Sequence, residues 1–103
     1  KHKENLLSYA YKKQKKGYSD YAEYRYDTQL LIEGEDLDED AIHDYFIEHF
    51  KGDCLLAVGD EDLIKIHFHT NEPWKVLEYC STLGEIFDIV IDDMDRQERG
   101  LKG

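Results

Sequence analysis

Apolar and polar residues alternate through Ile64-Lys65-Ile66-His67-Phe68-His69. Ile64, Ile66 and Phe68 fall on one side, with Lys65, His67 and His69 on the other, the period-2 pattern of a half-buried strand. The next residues predict a helix: Asn71 as its cap, Pro73 in the first turn, Val76, Leu77, Cys80 and Leu83 on a buried stripe, and Gly84 as the stop. Ile86 to Ile91 then reads as a last strand. Upstream, Arg25 to Glu33 alternates as a first strand, with Thr28, Leu30 and Ile32 opposite Asp27, Gln29 and Leu31. Asp38 caps a helix to about Lys51, with Leu37 and Ile42 spaced as a hydrophobic staple. Asp53 to Val58 is a second strand, and the acidic turn Gly59-Asp60-Glu61-Asp62 makes it a hairpin with the histidine strand.

The order β-α-β-β-α-β predicts an α+β, ferredoxin-like fold, a four-stranded antiparallel sheet with two helices on one face. The domain spans 24–95, between an N-terminal amphipathic linker at 1–23 and a flexible tail at 96–103. Within the linker, residues 1–16 suit a short helix ending at Gly17, and Tyr18, Tyr21, Tyr24 and Tyr26 mark a loop entering the first strand. Met94 to Gly103 is polar and reads as loose chain. In this topology the first and third strands are central neighbours. Asp27 then shares the helix-free face with His67 and His69, and Leu31, Leu56 and Val90 offer apolar contact there.

Charge narrows the functional classes. The chain has 103 residues and a net charge of −11, but residues 1–16 carry six Lys against one Glu, so residues 17–103 carry −16. Such a body repels nucleic acid. No apolar run approaches a membrane span. Cys54 and Cys80 share no metal-type spacing and read as reduced thiols of a cytoplasmic protein. The acidic run Glu35–Asp40 lacks the ligand alternation of a calcium loop and suits a helix N-terminus instead.

His67 and His69 leave their strand on one face, about 7 Å apart at Cα. The pair can close on one metal ion or one anion; equally, histidines can decorate the polar face of any strand. With Asp27 added, two imidazoles and a carboxylate make a three-ligand set for zinc with one position open.

Ile64-Lys65-Ile66-His67-Phe68-His69-Thr70-Asn71-Glu72-Pro73 resembles the I-K-V-H-V-H-T-N-x-P run of the bacterial fatty acid kinase A family. Gly52-Asp53-Cys54-Leu55-Leu56-Ala57-Val58-Gly59-Asp60 is similar to that family's G-D-S-L-V-V-V-G-D, and the likeness covers about residues 24–95. The resemblance implies the middle domain of a modular kinase, which follows a dihydroxyacetone-kinase-like domain that binds ATP and Mg²⁺. It also implies a homodimer, a DegV-like fatty-acid-binding partner, and a Cys/His/His zinc site needed for phosphoryl transfer. His67 and His69 match the two histidines, as catalytic and metal-binding residues. The family's Tyr-Cys-Thr is Tyr26-Asp27-Thr28 here, which keeps an anionic ligand but loses the thiolate's preference for zinc. No phosphate loop and no Asp pair suited to Mg²⁺ is present, so the domain alone is expected not to turn over substrate. The alternative is a non-catalytic interaction or dimerisation domain with a degenerate site.

Overall fold

The computed structural model describes residues 23–103. The helix expected over residues 1–16, and Tyr18 and Tyr21, lie outside them. Strand β1 (Tyr26–Glu33) is followed by helix α1 (Glu39–His49), strands β2 (Gly52–Gly59) and β3 (Leu63–Thr70), helix α2 (Pro73–Ser81), strand β4 (Glu85–Asp93) and a short helix α3 (Met94–Glu98). The sheet order is β2-β3-β1-β4, with every neighbouring pair antiparallel. This is the α+β, ferredoxin-like arrangement expected from the alternation of elements.

The core forms where the expected face assignments meet. Thr28, Leu30 and Ile32 of β1 and Ile64, Ile66 and Phe68 of β3 are all buried under α1 and α2. Phe46 of α1 packs edge-on to Phe68, ring centroids 5.2 Å apart, and Val76 and Cys80 close the layer from α2. The two helices touch through Tyr45 and Tyr79, whose rings stack at 3.7 Å.

Capping follows the sequence at one helix and departs from it at another. Asp38 accepts a hydrogen bond from the Ala41 amide at 3.1 Å and starts α1 as expected. Asn71 does not cap α2. Its Oδ1 accepts instead from the Arg25 amide at 2.7 Å, and Glu72 occupies the cap position with no side-chain bond. Pro73 at the first position fixes the helical φ without that help. The segment after β4 also departs from the loose chain its polarity suggests. Asp93 accepts from the Arg96 amide at 3.1 Å, which starts α3, and buried Met94 anchors it. The Asp93 carboxylate meets the Arg25 guanidinium in a forked pair, with Nε 3.0 Å from both oxygens.

Both edge strands carry a bulge. Between the pairs Asp53↔His69 and Leu56↔His67, β2 spends one residue more than β3, and Cys54 sits there at φ 52°. Between Gln29↔Val90 and Leu31↔Phe87, β4 spends one more than β1, and Asp88 sits at φ 50°. Such kinks interrupt the flat exposed edges on which further strands could pair.

Candidate metal centre

Register alone assembles the candidate cluster. Asp27 of β1 pairs with His69 of β3, and Gln29 pairs with His67, so the carboxylate and both imidazoles share the face away from the helices. Asp27 Oδ1 lies 2.8 Å from His67 Nε2 and 3.8 Å from His69 Nε2. The ligand atoms of all three residues fall within 4.8 Å of one another. Pairing also lays Asp92, Asp27, His69 and Asp53 in one row across the four strands. Three carboxylates in a row favour a cation over a bare phosphate at this end of the sheet.

The histidines are far less exposed than the polar side of a half-buried strand suggests. His67 is 2% exposed and His69 1%. Both are also held from β2. His67 Nδ1 stands 3.0 Å from the Cys54 carbonyl oxygen, which can only accept, so Nδ1 carries a proton. His69 Nδ1 faces the Asp53 carboxylate at 3.7 Å. Each ring is thereby turned so that Nε2 points at Asp27, the arrangement in which an outer partner orients a ligating imidazole.

The orientation of His67 has a chemical consequence. With the ring's single proton on Nδ1, buried Asp27 Oδ1 receives no hydrogen bond. Two lone pairs then face each other at 2.8 Å, and the contact becomes attractive only if Nε2 takes a second proton or a cation lies between them. The residues therefore fit a divalent ion. The distances of 2.8 and 3.8 Å bracket the edge of a tetrahedral zinc site, about 3.3–3.5 Å for bonds of about 2.0–2.2 Å.

Ionisation follows the same geometry. Burial works against the charged form of Asp27, but the hydrogen bond from His67, formed when Nε2 is protonated, and the charges of both imidazoles outweigh it. The carboxyl lies below its usual value. His69 is pushed down to about 4, first by burial and then by His67, against the pull of Asp27. It is a neutral imidazole at neutral pH, the form that binds metal. Burial, then Asp53 and Asp27, push the Cys54 thiol up to about 11. Without a metal it is no nucleophile.

The structure brings together Asp27, His67 and His69, the three residues that sequence reasoning singled out. That reasoning missed Asp53 and Cys54, which with His69 form another group of donor atoms within 4.8 Å of one another. Strict alternation places Cys54 on the core face, and no sequence signal marks the bulge that turns it. Asp92 was legible only through the β1–β4 register. Cys80, buried in the core with its thiol pushed up to about 12 by burial, plays no part in the site.

Fold and cluster together define a small α+β sheet domain with a buried carboxylate–imidazole centre at one end of its helix-free face. The chain belongs to the FakA-like middle domain family, the middle domain of fatty acid kinases of this type, whose family model matches residues 23–101. It is also similar to an uncharacterized protein of Staphylococcus aureus strain USA300, 40% identical over 48 residues. Counterparts in strains NCTC 8325 / PS 47 and COL match with the same figures. The matched stretch covers 47% of this chain and 9% of the length of each relative. None of the described helices is long and apolar enough to cross a membrane.

Proposed function

We propose that this chain is the accessory middle domain of a modular, cytoplasmic fatty-acid-kinase-type phosphotransferase, and that Asp27, His67 and His69 hold a divalent cation, zinc by preference. The observation that carries the reading is the double-acceptor environment of His67, between the Cys54 carbonyl and Asp27 Oδ1. A proton or a cation must fill that gap, and the row of carboxylates favours the cation. When bound, a divalent ion supplies Lewis-acid stabilisation of oxyanions during phosphoryl transfer. ATP and Mg²⁺ belong to an upstream domain of the same kinase, and the acyl substrate to a DegV-like fatty-acid-binding partner. The domain alone has no activity in this reading; His67 and His69 contribute to catalysis as ligands that position the cation for the rest of the enzyme.

The test is His67→Ala in the full-length kinase, with zinc content measured alongside activity. Loss of both, with circular dichroism unchanged, is expected. Full activity in a folded variant refutes the role. A second reading, an interaction domain that forms homodimers, is favoured by the exposed apolar side chains of β4: Phe87, Ile89 and Val90 are 37–46% exposed. A folded His67→Ala variant that keeps activity, together with concentration-dependent dimerisation in sedimentation, selects that reading instead.

A further inference from the structure

The bulge in β2 does more than interrupt an edge. In a regular strand Asp53 and Cys54 point to opposite faces. The extra residue breaks that alternation: Leu55 packs against the core, Leu56 pairs with His67 on the open face, and Cys54 joins Asp53 beside His69. Holding a non-glycine residue at φ 52° costs on the order of 1–2 kcal/mol. The fold retains this costly conformation at the residue whose thiol it turns toward an imidazole.

We propose that Asp53, Cys54 and His69 form a second, thiolate-bearing donor set that binds a thiophilic divalent cation, in competition with the Asp27–His67–His69 set. The three donor atoms lie within 4.8 Å of one another, and they combine sulfur, nitrogen and oxygen. Sulfur selects soft cations such as zinc or cadmium, whereas the first set offers only nitrogen and oxygen. Competition follows from the shared residue. His69 faces Asp27 through Nε2 at 3.8 Å and Asp53 through Nδ1 at 3.7 Å. A neutral imidazole offers one lone pair, so it serves one cation at a time. When Cys54 ligates, its proton is released and the sulfur binds as thiolate.

This inference deepens the proposed metal-binding role but depends on different side chains, so the two fail separately. The probe is cadmium chloride added to the purified 103-residue chain, followed by thiolate-to-cadmium charge-transfer absorption. Wild type should develop the band and saturate at one equivalent. Asp27→Asn and His67→Ala should keep it, and Cys54→Ser should lose it. Cys80→Ala, which leaves both sets intact, should keep it too. Alkylation of Cys54 by iodoacetamide, read by peptide mass, provides a measurement independent of any variant's folding, and cadmium should block it. Cadmium binding without a thiolate band or protection of Cys54 overturns the second set and leaves the first standing. A band lost in Asp27→Asn and in His67→Ala, with both variants folded, makes Cys54 a fourth ligand of a single site and also overturns the proposal. Saturation at two equivalents overturns the competition.

Discussion

Acidification of the metal-free chain should destabilise it, chiefly through His69. This ring is 1% exposed, and its folded-state pKa of about 4 lies below the usual histidine value of about 6.5. A group with a depressed folded pKa binds protons more readily when unfolded, so stability rises with pH between the two values. The stabilisation is fully present above pH ~6.5 and is lost as pH falls towards 4. A difference of about 2.5 units corresponds to roughly 3 kcal/mol. A domain of this size has about 4–12 kcal/mol in total, so the loss is a quarter or more of its stability. Asp27, held below its usual value, loses its contribution only at still lower pH, so the two effects separate in range. Urea unfolding with chelator present, at steps from pH 7 to 4, reads the effect directly. With a slope of about 1–2 kcal/mol/M, the midpoint should fall by about 1.5–3 M. His69→Gln, neutral throughout, should flatten most of this dependence. An equally steep dependence in that variant, or a midpoint that rises on acidification, would show that Asp27 and Asp53 stabilise a buried imidazolium and that the reasoning is wrong.

Two mutational outcomes test the frame around the site. Leu30→Ala and Ile66→Ala, on the two central strands and at 1% and 0% exposure, should each cost about 2–5 kcal/mol through cavity formation. Losses within about 0.5 kcal/mol in chemical denaturation would contradict the core assignment. Gly52→Ala should destabilise by about 1–3 kcal/mol or more, because its Cβ would overlap the His69 carbonyl and the Phe68 ring. Its His69 resonances should shift as well, and an unchanged fold and unchanged His69 shifts would refute the close approach.

The parts of the fold legible in the sequence are those governed by simple periods. Ile64, Ile66 and Phe68 announced their face by alternation, and the same alternation put His67 and His69 opposite them. Asp27 could be added because β-α-β-β-α-β order makes β1 and β3 neighbours, a rule of topology independent of any single residue. What stayed hidden depends on departures from the period. Cys54 reaches the site through one inserted residue, and nothing in Gly52-Asp53-Cys54-Leu55 marks where the insertion falls. The burial of the histidines was hidden as well, since an imidazole counts as polar in a periodic pattern whether or not water reaches it. Asn71 was misassigned because a capping side chain is chosen by competition, and the Arg25 amide, far away in sequence, offers the better geometry.

The forked pair of Arg25 and Asp93 gives the domain a mechanical character. The described chain enters the sheet at Tyr26 beside the residue where it leaves, Asp93, and the Met94 amide is bonded to the Arg25 carbonyl at 2.9 Å. Opposed pulls on residues 25 and 94 would therefore load β1 and β4 as a zipper, rung by rung, instead of shearing the whole ladder at once. Tyr26–Asp93 is the first rung, and Asp27–Asp92 is the second. Tension between the flanking segments would reach the carboxylate of the site after a single rung had parted, with the Arg25 fork as the latch that must open first.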